Sequence, residues 1–278
     1  MTSLSFSPIP FDFASVYGPV DSWRFGRSLG IDAIGTAFAC SFRCVYCQLG
    51  EIEYCTEHRR IFVPTDHVLR DLRSFAPWEV DVITFSGSGE PTLAANLGEL
   101  IGAIKTIAQR PVVVLTNSTL LYSDQVRRDL AQADIVVVKL DAAHPDQLQR
   151  INRPAPGIHL SDLLAGLEQF RNEYQGHLAM QTMVLSRWDQ EEQRQYVHHV
   201  RRIRPDEIQL NTPSRPRPLV RQLEARGNEP LPVAVPTQAL KAVSPDLLAA
   251  FAAYIQQEAQ IPVRCAPERS PAPCTAPH

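Results

Sequence analysis

Lysine is almost missing from this chain. Only Lys105, Lys139 and Lys241 occur among 278 residues, and the rest of the positive charge falls to arginine. A lysine placed inside a strand of valines is therefore informative, because an ammonium is costly to bury unless paired. Long hydrophobic runs are missing too. None approaches the roughly 18 apolar residues of a membrane helix, so no span is expected. The first twenty residues lack the charged start and continuous apolar core of a secretory leader. The expected location is the cytoplasm, where thiols stay reduced and clustered cysteines read as metal ligands rather than disulfides. Net charge is only −3, which gives no global electrostatic case for nucleic acid. Seven arginines do gather locally (Arg201, Arg202, Arg204, Arg215, Arg217, Arg221, Arg226) against Asp206, Glu207 and Glu224. They make either a positive patch or a solvated surface. What remains, 44% hydrophobic and 21% charged residues, is ordinary for a globular chain. The length suits one α/β barrel or two smaller domains.

Cys40, Cys44 and Cys47 form a CxxxCxxC run at the end of a short apolar stretch, 31–34. Thiolates are soft ligands for zinc and iron–sulfur clusters, both of which prefer four ligands. Three cysteines leave one position open, as a chemically active site needs. A zinc knuckle completed by a distant His or Cys, and three merely buried cysteines, are the alternatives on spacing alone. Cys55 follows beyond the run. A second cluster from Cys55, Cys265 and Cys274 is a further option, although that spacing matches no motif.

Periodicity organises the rest. Residues 64–75 read as a helix, then 81–85 as a buried strand running into Ser86-Gly87-Ser88-Gly89-Glu90-Pro91. Proline after Glu90 forces an extended or turning backbone, unlike a dinucleotide fingerprint. Helix 97–109, strand 112–115, helix 123–131 and strand 135–140 follow. Strand alternation puts Lys139 and Asp141 on one face and Leu140 on the other. Lys139 then either reaches solvent at the strand end or enters a site as an ion-pair partner of Asp141, a cofactor contact, or a Schiff-base lysine of depressed pKa. Helix 161–174, strand 178–185 (Gln181 and Met183 on one face), helix 191–203 and strand 207–210 complete the pattern, and Asn211-Thr212-Pro213 ends it. Six β–α repeats of this kind predict an α/β fold, a partial (β/α)6 barrel, whose polar strand ends converge on one mouth. The expected organisation is an N-terminal arm (1–16), the core (17–213), a C-terminal cover segment and helix (214–264), and a Pro-rich tail (265–278).

The CxxxCxxC run and the GSGEPTL stretch resemble the signatures of the radical SAM superfamily. Tyr17-Gly18-Pro19-Val20, the Ser28-Leu29-Gly30 run, Gln48-Leu49-Gly50, Ile151-Asn152-Arg153-Pro154 and Asn211-Thr212-Pro213 are similar to a narrower group related to the wyosine tRNA-modifying enzymes. The chain departs from that group's pattern at Trp23 and Phe25, losing one basic side chain there, and has Lys139 where serine is usual. The resemblance implies a [4Fe–4S] cluster on Cys40, Cys44 and Cys47, with S-adenosylmethionine (SAM) chelating the fourth iron. It also implies that Tyr46, Gly87, Gly89, Glu90, Thr116, Asn117, Lys139 and Asp141 contact the cofactor. An aromatic such as Tyr46 has a physical use there, since its face covers a base and excludes water. Reductive cleavage of SAM would give a 5′-deoxyadenosyl radical that abstracts hydrogen from a small molecule or peptide. Lys139, Gln181 and Asn211 are the candidate catalytic residues, and a flavodoxin- or ferredoxin-type protein is the implied electron donor. The alternatives are wyosine-type modification of tRNA and a non-catalytic Fe–S or zinc sensor or scaffold.

Overall fold

Parallel strands covered on both faces need near-continuous runs of β-branched residues, and Val112-Val113-Val114 and Ile135-Val136-Val137-Val138 supply them. In the computed structural model, which describes residues 10, 12–227 and 234–267, these runs lie at the centre of one eight-stranded sheet. Strands β1 (Val16–Ser22) and β2 (Gly26–Asp32) pair as an antiparallel hairpin. Then β3 (Val82–Ser86), β4 (Val112–Thr116), β5 (Ile135–Lys139), β6 (His177–Met183), β7 (Glu207–Asn211) and β8 (Val263–Cys265) follow in chain order, each parallel to its predecessor.

The connections are helical: α1 (Thr65–Arg73), α2 (Leu97–Ala108), α3 (Asp124–Leu130), α4 (Pro145–Ile151), α5 (Leu160–Glu173), α6 (Gln190–Ile203) and α7 (Pro245–Ala259). In α2, Leu97, Leu100, Ile101 and Ile104 recur at helical spacing and are fully buried. Each contributes roughly 1.5–3 kcal/mol by leaving water. Helix α6 opens on a capping box in which Asp189 accepts from the Glu192 amide at 2.8 Å and Glu192 accepts from the Asp189 amide at 2.8 Å. No helix among the described residues is long and apolar enough to cross a membrane.

Strand alternation separates two cores. One face, with Ile83, Val114, Val136, Val138, Met180 and Ile208, packs against the helices. The other carries a small apolar layer of Val82, Val113, Val137 and Ala179, which floors the inside of the curved sheet. Two residues further along each strand, the same face meets Thr84, Leu115, Lys139 and Gln181. The functional side chains thus stand on an apolar floor at the strands' carboxyl ends. No pairing joins β1 to β8 among the described residues, so the barrel is partial, as expected. Its edges nevertheless meet: Arg264 of β8 donates to the Trp23 carbonyl at 2.8 Å.

Two elements differ from the sequence reading. The glycine-containing stretch before residue 32 is a hairpin whose second strand spans Gly26–Asp32, so the apolar stretch 31–34 begins at that strand's end. The register explains Gly30, where a Cβ would lie 2.2 Å from the Tyr17 ring. Strand β8 was not anticipated, because three residues after Pro262 carry too little pattern to be seen. Cys274, the third member of the suggested second cluster, lies outside the described residues.

Candidate active site

The cysteine loop leaves β2 at Asp32 and is held from three sides. Ala39–Cys40 pairs with Tyr54–Cys55. Arg43 and Val45 donate backbone bonds to Asn152 and Ile151 (both 2.9 Å), and Ala155 donates to the Ser41 carbonyl (2.9 Å). This is the structural use of the Ile151–Pro154 stretch. Cys40, Cys44 and Cys47 line one cavity of about 370 Å³. N–H groups point at two sulfurs: Cys40 Sγ accepts from the Phe42 amide (3.4 Å) and Asn117 Nδ2 (3.5 Å), and Cys44 Sγ from Asn152 Nδ2 (3.4 Å). Burial pushes all three thiols up, Cys44 to about 11. A coordinating metal reverses that cost by deprotonating the thiol outright. Among the described residues, no three His, Cys, Asp or Glu side chains are arranged around a single ion. Three soft thiolates on one cavity wall, with N–H donors aimed at sulfur, instead fit an iron–sulfur cluster with one iron left open. Cys55 turns aside, its thiol 3.7 Å from the Ser41 carbonyl, and Cys265 lies on β8. Neither lines this cavity.

The turn after β3 approaches the cysteine loop so closely that side chains are excluded. Gly87 has φ +122°, and a Cβ on Gly89 would lie 1.9 Å from the Ala39 carbonyl. Glu90 is buried and already well supplied with donors. One oxygen accepts from the Thr92 amide (3.1 Å), the Thr92 hydroxyl (2.7 Å) and the Thr116 hydroxyl (2.7 Å), the other from the Asn117 amide (2.7 Å). Burial raises its carboxyl and these bonds oppose the shift. Glu90 therefore ties the β3 and β4 ends together while lining the cavity. Asn117 carries the connection on to Ser41 Oγ (2.8 Å).

Lys139 stands inside the barrel mouth, on the face of Val137, and does not run out to solvent. Its ammonium donates to the Tyr46 hydroxyl at 2.9 Å and lies 5.0 Å from that ring's centre. The direct ion pair with Asp141 is replaced by a relay: the Tyr46 hydroxyl donates to Asp141, which also accepts from Asn152 Nδ2 (2.7 Å) and the Met183 amide (2.8 Å). Burial acts to lower the Lys139 pKa, but Asp141 and the cysteines raise it, and the net direction is up. A Schiff-base lysine needs the opposite shift, and the Lys139 ammonium is here engaged with the Tyr46 hydroxyl. Gln181, within 3.4 Å of Gln209, and Asn211 line the same cavity. Asp141 does not line it and acts from behind Tyr46.

Asp32 went unnoticed in the sequence. It is fully buried, and its carboxylate accepts from the amides of Ile34 (3.0 Å), Gly35 (2.9 Å) and Ser88 (3.1 Å), from the Ser88 hydroxyl (3.0 Å) and from Arg226 (2.8 Å). Its signals were an acid closing an apolar strand and its place at the end of the stretch that resembles the wyosine-related group. Through Arg226 it also docks the cover segment, as does Gln222 by donating to the Leu49 carbonyl (3.0 Å). The seven arginines make no single patch. Arg201, Arg202 and Arg204 bond Glu258, Glu168 and Asn172 on the helical side. Arg217, Arg221 and Arg226 bond the Gly50 carbonyl, Glu53 and Asp32 around the mouth, and Arg215 has a partner as well.

The profile of the Radical SAM superfamily matches residues 35–199. A UPF0026 protein of Synechocystis sp. is 54% identical over 92% of this chain and 97% of its own length. A UPF0026 protein of Methanocaldococcus jannaschii is 34% identical over 72% of this chain and 64% of its own. Among solved structures, SuiB of Streptococcus suis bound to S-adenosylmethionine superposes with a TM-score of 0.58 at 16% identity. That match covers 83% of this chain and 49% of SuiB, so the likeness is one of fold and the chain spans about half of that protein's length.

Proposed function

This chain belongs to the radical SAM superfamily, enzymes that use a [4Fe–4S] cluster and SAM, and from that premise we propose that it generates its radical in the cysteine-lined cavity and abstracts hydrogen from a small molecule. The observation that carries the reading is the one cavity wall shared by Cys40, Cys44, Cys47, Glu90, Thr116, Asn117, Lys139, Gln181 and Asn211. Bound there, cluster and SAM supply reductive cleavage to a 5′-deoxyadenosyl radical; the chain supplies position and dryness. The three thiolates hold iron and leave one site open. Gly87 and Gly89 let the backbone come close to the cofactor, and Glu90 presents a carboxylate to its ammonium. Tyr46, fixed between Lys139 and Asp141, covers the base. Lys139 offers positive charge to the cofactor's carboxylate or ribose. Gln181 and Asn211 face the remaining space, where the substrate's reacting carbon belongs. The electron donor would be of flavodoxin or ferredoxin type. SuiB's structure with its precursor peptide SuiA makes a peptide the second substrate class. Wyosine-type tRNA modification, the alternative implied by the resemblance, has its one electrostatic support in the arginine stretch, and those arginines are divided between two faces and engaged with the chain's own groups.

Anaerobic reconstitution tests the reading. Four irons, SAM binding by calorimetry and 5′-deoxyadenosine on reduction are expected; a single zinc without SAM binding would return the chain to a scaffold. In the same assay Glu90→Gln should keep its iron and bind SAM about ten- to a hundredfold more weakly, the value of a charge-assisted contact of roughly 1.5–3 kcal/mol. The new amide would also set a donor against the Asn117 N–H. Unchanged affinity would assign Glu90 a purely structural role.

Lys139→Met retains side-chain bulk and removes the charge. Iron content and fold should persist while SAM binding weakens, and the Tyr46 hydroxyl keeps Asp141 as its acceptor. A variant with the parent's SAM affinity would remove Lys139 from the cofactor contacts.

A further inference from the structure

Arg24, in the turn between β1 and β2, carries a charge that the fold leaves unbalanced. Its Nε is buried without a partner, and no carboxylate among the described residues pairs with its guanidinium. The Trp23 ring lies against it at 4.8 Å. Burial, and then the neighbouring Arg264, push it down to about 10. Arg264 by contrast is satisfied, donating to the carbonyls of Trp23 (2.8 Å) and Arg24 (3.4 Å) and reaching Glu207 at 3.5 Å. A buried, idle N–H on a half-buried guanidinium is costly unless something absent from the chain completes it.

Its position says what that is for. Arg24 and Arg215 both line three adjoining cavities. The first is the cysteine cavity of about 370 Å³. The second, about 250 Å³, lies beside Tyr17 and Ser86. The third, about 510 Å³, opens in the seam between the hairpin turn and the end of β8. The first is at the small end for a ligand pocket, typically ~300–1,000 Å³, so beside the cofactor it has room only for a substrate's reacting end, and the rest of the substrate extends into the other two. Asp21, exposed at the rim, is the one acidic residue lining them. The opposite approach is covered: Gln222 is bonded to Leu49, Arg226 to Asp32, and the Val220 carbonyl lies where a Cβ on Gly50 would be, 2.0 Å away.

We propose that the substrate is a small molecule bearing a carboxylate or phosphate, which enters through the seam and is held there by the Arg24 guanidinium together with Arg215. The planar fork of arginine matches either anion with two parallel bonds. Anchored at that end, the substrate directs its other end past Leu49 and Gly87 to the cysteine cavity. The proposal rests on the SAM-cleaving reading of that cavity and adds the chemistry of the substrate.

The test uses the reconstituted full chain in a phosphate-free buffer, with orthophosphate and succinate as probes and potassium chloride holding ionic strength constant. Phenylglyoxal labelling of Arg24, followed by peptide mass spectrometry, should slow at least tenfold with one of the two probes and not with chloride, while exposed Arg110 labels at an unchanged rate. The protecting probe identifies the anion as phosphate or carboxylate. Arg24→Gln should weaken binding of that probe about ten- to a hundredfold and leave cluster absorbance as in the parent. Because labelling is read on the parent, the result does not depend on the variant folding. Arg24 labelling that neither probe slows, or that slows only with RNA or an acidic peptide, overturns the proposal. SAM affinity, measured separately, judges the proposed function: its absence would sink that reading, while the labelling result still decides the anion site.

Discussion

Cys40→Ala, Cys44→Ala and Cys47→Ala are each expected to leave a folded protein with background iron and no visible cluster absorption. The three thiols on the cavity wall have no substitute: Cys55 turns to the Ser41 carbonyl, and Cys265 lies on β8 at the sheet edge. A cluster held by two protein ligands and a bidentate cofactor loses its anchorage, and SAM loses the iron it chelates. Fold should survive, because the loop is held by backbone bonds to Asn152, Ile151 and Ala155 and by Asp32, none of which uses a thiol. Cys55→Ala and Cys265→Ala should retain the parent's iron. Iron assay and ultraviolet–visible spectra after anaerobic reconstitution read all five, with Cys274→Ala alongside. Loss of about half the iron in any of these last three would mean a second cluster.

Asp32→Ala should produce the largest loss of stability from a single side chain. The change strands the amides of Ile34, Gly35 and Ser88 and leaves Arg226 beside a void. Breaking a buried ion pair from one side costs about 3–5 kcal/mol, against a total stability of typically ~5–15 kcal/mol. The variant therefore sits near the edge of folding, or unfolds. Arg226→Met should cost less, since the remaining acid keeps its backbone donors, and the double variant should cost less than the two losses summed. Urea midpoints with an unchanged m-value measure the three. An unfolding free energy for Asp32→Ala within about 1 kcal/mol of the parent (a margin small beside ~3–5) would show that the turn around Ser88 holds by itself.

How much of this was legible in the chain depends on whether chemistry is local. Cysteines four and three apart, and glycines followed by Glu-Pro, are short-range patterns, and each keeps its meaning in isolation. The regular return of apolar runs sets strands and helices in turn, and strand alternation assigns Lys139 to the face of Val137. Those regularities predicted the α/β class and the partial barrel, while the resemblance to the radical SAM superfamily implied the cysteine cavity's main roster. Contacts across the sheet left no such trace. Asp32 reaches Ser88 and Arg226 across separations of 56 and 194 residues, and a lone acid after an apolar strand does not announce either partner. The arginines after residue 201 looked like one patch because they are neighbours in sequence; folding sends them to different faces. Strand alternation put Lys139 and Asp141 on one face, yet β5 ends at Lys139 and the Tyr46 hydroxyl, brought 93 and 95 residues along the chain, stands between the two side chains. Arg24 shows the same division most sharply. Its residue type is local, but its half-buried guanidinium with a buried, unpartnered Nε arises only where the first hairpin meets β8.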